Sequence, residues 1–160
     1  MRWMLALLVA GIFSMNSSAD ENLSRGDHPY VYHLIQASLW DPAVEEGVTY
    51  FPPTYDVDGF THGTSNPDKL LNVANHFYPD VQGRWYCLRM TVESLAATGV
   101  ETIYEGTAPV GDIQPDFEGA DDELFPHILG GIHPDAVIEA HKVNRSDAGV
   151  FLSIEGVTTE

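Results

Sequence analysis

Five short runs of β-branched and aromatic residues recur along this chain, and they constrain its fold more than any other feature. They are Tyr30–Gln36, Arg84–Val92, Gly99–Gly106, Asp135–Val143 and Gly149–Glu155. Runs of this length, set between Gly, Pro, Asn and Asp punctuators, read as strands. In Tyr30–Gln36 the alternation points Tyr30, Tyr32 and Leu34 one way and Val31, His33 and Ile35 the other.

Helical signals are fewer and come early. In Ser65–Phe77, Asn66 has N-cap chemistry, Pro67 suits the first helical position, and Asp68 favours the positive helix end. Leu70, Val73, Ala74 and Phe77 keep helical spacing, which predicts an apolar face. Ser38–Gly47 predicts a shorter helix, with Ser38 or Asp41 as cap, Pro42 in the first turn and Gly47 as the stop. Val48–Gly59 holds two prolines and ends in Asp-Gly, the composition of a loop or irregular strand. Thr107–Glu123 turns acidic and rich in Pro and Gly, which predicts a mobile surface loop. Strands outnumber helices, so the expected class is α+β, as one domain over residues 30–156 behind a polar leader at 20–29. A chain of 160 residues suits one core and not two.

The first 19 residues read as a secretory signal: Arg2, then the apolar stretch Trp3–Phe13, then the small-residue site Ser17-Ser18-Ala19. That reading places the mature protein outside the cytoplasm, secreted or periplasmic, with no membrane segment once the signal is cleaved. The stretch is too short to span a bilayer. Cys87 is the sole cysteine, so no intrachain disulfide staples the fold, and within an apolar run it reads as a small hydrophobe. The formal net charge of −17 argues against a nucleic-acid backbone or an anionic membrane as partner. A small-molecule ligand stays open, and nothing in the residues names a protein partner.

Several side chains are candidates for chemistry. His33 sits mid-strand, His62 precedes Gly63, and His127 follows Pro126. Each has an ordinary structural explanation: a satisfied core histidine, a turn residue, a packing residue. Together they suggest a shared cleft. Because Asn66 already caps the helix, Thr64 and Ser65 are free of that duty, and Gly63 ahead of a helix start offers an anion site. Glu105 ends a strand, where an acid can steady positive charge, act as a general base, or simply be solvated.

Taken in order, the motifs YHLI…LW…A…G, DGFTHGTSNPDKLLNVANHFY, YEG and ELFPHILGGIHPDAV resemble the domain of unknown function 952 family, from about Tyr30 to about Val137. Gly63 and Thr64 stand where that family usually carries Cys-Ser, and Leu129 stands where it carries Tyr. The family is grouped by fold with the ADP-ribosyltransferases and RNA 2′-phosphotransferases. The resemblance thus implies a split, curved β-sandwich with flanking short helices around an NAD-type cleft. It implies NAD as cofactor, with His33 meeting the adenosine ribose and His62, Thr64 and Ser65 near the nicotinamide. Glu105 or His127 would fill the third motif, beside the ribose under attack. The implied reaction is ADP-ribosyl transfer or NAD cleavage: nicotinamide leaves and a carboxylate or dipole steadies an oxocarbenium-like sugar. Two alternatives stand beside it. One is a non-catalytic small-molecule binding module. The other is a metal site of His33, His62 and His127, since three imidazoles suit zinc, although no HExxH or CxxC spacing accompanies them.

Overall fold

The computed structural model describes residues 23–159, so the expected signal at 1–19 lies outside the described residues. The strands are β1 (Val31–Gln36), β2 (Thr61–His62), β3 (Trp85–Met90), β4 (Thr102–Glu105), β5 (Phe125–Ile128), β6 (Glu139–Arg145) and β7 (Phe151–Ile154). The helices are α1 (Ala37–Glu46), α2 (Tyr55–Asp58), α3 (Leu70–Phe77) and α4 (Val92–Ala97). One antiparallel sheet has the order β1-β3-β6-β7 and a smaller one the order β2-β5-β4. Tyr32 and Thr64 exchange backbone hydrogen bonds of 2.8 and 2.9 Å, and this single bridge joins the edge of β1 to the chain leaving β2. The result is a mixed α/β fold in which a curled antiparallel sheet forms a half-barrel flanked by short helices.

β1 explains how the half-barrel is held. Its alternation feeds two apolar clusters: Val31 and Ile35 join Trp40, Leu88 and Ile128 on one side, and Tyr32 and Leu34 join Leu70, Trp85 and Phe151 on the other. Both faces of the strand are therefore buried, and His33 lies in the middle of it, 5% exposed.

α3 follows the sequence closely. Asn66 Oδ1 accepts the Asp68 N–H at 3.0 Å, Pro67 opens a 3-10 turn through Lys69 that runs into α3, and Leu70, Ala74 and Phe77 are buried. Gly47 stops α1 in the left-handed region at φ 63°. The expected start of α1 is wrong, however. Neither Ser38 nor Asp41 caps it; the helix begins at Ala37, and Pro42 lies within it. The start is set by the sheet, because β1 pairs Gln36 with Trp85 and Ala37 N–H donates to the Arg84 carbonyl at 2.8 Å. Burial of Ala37, Trp40 and Ala43 outweighs the one backbone bond that Pro42 cannot donate.

Three further differences bear on the site. The expected loop before Gly59 contains the one-turn α2. The chain after β3 forms α4, closed by a capping box in which Thr91 and Ser94 exchange side-chain-to-backbone bonds of 2.9 and 3.0 Å. The acidic stretch Thr107–Glu123 is irregular, as its composition predicts, yet it folds inward: Ala120 is buried and Phe117 packs edge-on against Phe125, with ring centroids 6.0 Å apart. The polar leader is also attached, since Leu124 N–H donates to the Ser24 carbonyl at 3.0 Å.

Candidate functional site

Two adjoining chambers open between β1, the segment around β2, the end of α3 and the acidic stretch. The inner one measures about 40 Å³ and the outer about 250 Å³. They share His33, Leu34, Phe77, Tyr78 and Val110 as common walls. The inner chamber has room for a few waters or a small head group, and the outer for the body of a modest ligand.

His33, His62, Thr64 and His127 line the inner chamber. Ser65 and Glu105 stand one step behind the lining. Ser65 Oγ lies 3.2 Å from the Tyr104 hydroxyl, and Glu105 Oε2 lies 3.0 Å from His127 Nδ1. Glu105 and His127, between which the sequence leaves the third motif open, are thus partners in one contact. They are neighbours across the β4–β5 ladder, where Glu105 faces Phe125 and Ile103 faces His127.

The three histidines have their donors committed to protein acceptors. His33 Nδ1 is 2.7 Å from the His62 carbonyl; a carbonyl only accepts, so Nδ1 carries the hydrogen and Nε2 keeps a lone pair. That Nε2 is buried without a partner among the described residues. His62 gives Nε2–H to Asp58 Oδ2 at 3.0 Å, which leaves Nδ1 as its acceptor. His127 gives Nδ1–H to Glu105, which leaves Nε2. Burial lowers the pKa of all three, that of His33 to about 4. The bonds to Asp58 and Glu105 oppose the shift at His62 and His127 without reversing it. At neutral pH three uncharged imidazoles therefore line the inner chamber, each with one nitrogen that can only accept.

Asp58 is a residue that sequence reasoning missed. Its side chain is 4% exposed, and besides His62 it accepts the Gly111 N–H, at 3.0 Å to Oδ1 and 3.2 Å to Oδ2. Asp58 thereby ties α2, β2 and the acidic stretch together at the cavity wall. Its signal was present, an Asp four residues before a motif histidine, but Asp-Gly reads first as a turn. Phe60 was missed as well; it stacks on His127 with ring centroids 4.0 Å apart and planes 17° apart. Tyr50, whose ring centre is 5.8 Å from that of His33, enters from the stretch expected to be loop or irregular strand, where it makes an isolated bridge to Ile132.

Gly63 serves a different purpose from the one its position suggests. A Cβ there would stand 3.0 Å from the Pro126 carbonyl and 3.1 Å from Val31. The close approach it permits is to β5 and β1. The zinc arrangement does not form either. Among the described residues no group of three His, Cys, Asp or Glu side chains is placed to hold a metal. Cys87 is fully buried, and burial pushes its thiol pKa up, which suits the small-hydrophobe reading.

The chain matches the family model described as protein of unknown function, DUF952, over residues 34–140. It belongs to that family. Among solved structures it is similar to the crystal structure of protein CC0527 from Caulobacter crescentus, with 18% identity and a TM-score of 0.58, covering 77% of this chain and 93% of that one. The solution NMR structure of CC0527 gives 17% identity, a TM-score of 0.51 and coverage of 76% and 90%. At such identity the likeness shows the fold alone. No curated protein matches the sequence.

Proposed function

We propose that this member of the DUF952 family is a small-molecule binding domain whose ligand donates a hydrogen bond to His33. One observation carries the reading: an uncharged imidazole, buried on a cavity wall between two chambers, keeps an acceptor with no partner among the described residues. An unmet buried acceptor costs about 1–3 kcal/mol, and a ligand N–H or O–H recovers that cost. A competing reading is the ADP-ribosyltransferase-like one that the family resemblance implies, in which the ligand is NAD. In that reading the resemblance assigns His33 to the adenosine ribose and Glu105 or His127 to the third motif, and the contact between His127 Nδ1 and Glu105 Oε2 supports treating the latter two as one group.

The test is thermal unfolding of the purified chain with NAD, ADP-ribose and adenosine. A ligand at a hundred times its Kd stabilises by about 2.7 kcal/mol, enough to raise Tm by several degrees. Substituting His33 removes that rise. Release of nicotinamide from NAD, followed by chromatography, separates an enzyme from a binding module. No shift with any of the three ligands, nor with the probes named below, sinks the binding proposal. Export belongs to the proposal too, and N-terminal sequencing of the exported protein is expected to begin at Asp20.

A further inference from the structure

We infer that the cleft selects a compact organic cation bearing N–H donors, such as an amidinium, guanidinium or primary amine, and rejects phosphate- or carboxylate-bearing ligands. This rests on the proposal that the cleft binds a small molecule, and adds the sign of its charge.

The first argument is hydrogen-bond polarity. Each of the three imidazoles has given its N–H to the protein, His33 to the His62 carbonyl, His62 to Asp58 and His127 to Glu105. What remains are acceptors, one of them buried and unpartnered. The hydroxyls of Thr64 and Thr107, which also line the inner chamber, serve either role. A phosphate diester brings only acceptors and finds no fixed donor among these imidazoles, whereas an amidinium brings four N–H groups. Trp85, whose indole N–H is a buried donor without a partner among the described residues, lines only the outer chamber.

The second argument is charge. Among the described residues no lysine or arginine lines either chamber. Lys69 and Arg25, on neighbouring segments, are engaged elsewhere. Lys69 Nζ donates to the Gly119 carbonyl at 2.6 Å and pairs with Asp122 at 3.2 Å; the Arg25 guanidinium lies 4.4 Å from the Tyr104 ring centre. Asp58 and Glu105 stand directly behind two of the imidazoles, so a cation in the cavity is attracted through them and an anion repelled. Aromatic side chains add to the fit. Phe77 and Tyr78 wall both chambers, and rings attract cations over their faces. The volumes of about 40 and 250 Å³ suit a small charged head in the inner chamber and a larger body in the outer.

Three probes of one shape separate the charges: benzamidine, benzamide and benzoate, each titrated into the full chain by calorimetry. Benzamidine is expected to bind at least tenfold more tightly than benzamide, with benzoate the weakest. In the His33→Leu variant benzamidine should weaken about tenfold, whereas nonspecific attraction to the acidic surface would survive that change. Should His33→Leu not fold, Glu105→Gln, on a side chain 59% exposed, is expected to narrow the gap between benzamidine and benzamide. Benzoate binding as well as benzamidine overturns the inference and leaves the binding proposal standing. So does a shift with NAD or adenosine while benzamidine gives none. Benzamidine binding undiminished in both variants overturns it as well.

Discussion

Acidification tests the placement of His33 most directly. The folded chain lowers the pKa of this imidazole from 6.5 to about 4 because burial opposes its charge. Between those values the unfolded chain holds a proton that the folded chain refuses, so stability falls as pH falls through that window. Above pH 6.5 both states are neutral and the stability is fully present. With the group only 5% exposed, solvent screening takes little away. Taking the pH from about 7 to about 4.5 should cost about 2 kcal/mol through His33 alone. Two other trends overlap with it. His62 and His127 are also lowered by burial and act in the same direction, while protonating carboxylates relieves the self-repulsion of a chain at −17 and acts in the other. Both are present in a His33→Asn variant, whose amide nitrogen stands where Nδ1 does and can still donate to the His62 carbonyl but does not titrate. Urea unfolding of both proteins at the two pH values isolates the difference, in which wild type loses about 2 kcal/mol more than the variant. Parallel losses would refute the argument, because they would mean that His33 is solvated or already partnered.

Asp58→Ala strands the Gly111 N–H and the His62 Nε2–H inside the wall, and should lower urea-unfolding stability by about 2–3 kcal/mol; Asp58→Asn, which keeps an acceptor, should recover part of it. Gly63→Ala places a Cβ against Pro126 and Val31, and should cost about 1–3 kcal/mol by chemical denaturation; a neutral result would show that β2 and β5 have slack between them. Thr91→Ala removes half of the capping box of α4 and should cost about 1 kcal/mol, read as a lower Tm.

Much of this molecule is legible in its sequence because the signals are local. The alternation of Tyr30–Gln36, the cap and proline ahead of α3, and the stop at Gly47 each concern neighbours along the chain, and short-range sterics and hydrogen bonds decide them. The motif histidines were legible too, His33, His62 and His127 all reaching one cavity. Where the reading failed, a distant partner had decided the outcome. α1 starts where strand pairing across to Trp85 and the Arg84 carbonyl begin it, a constraint that Ser38 and Asp41 do not reveal. α4 went unread because its capping box uses Ser94 in place of the usual Glu or Gln.

The sequence by itself determined an α+β domain of short strands, a helix after Asn66 and a set of histidines that belong together. Only the tertiary structure decided what those histidines are. The same imidazole is donor, acceptor or cation according to what meets its two nitrogens, and those partners come from residues far along the chain: the His62 carbonyl for His33, and Glu105 across a sheet for His127. Even Asp58, only four residues from His62, is held as its acceptor by burial and by Gly111. Protonation and hydrogen-bond direction follow from environment, and environment exists only once the chain has folded.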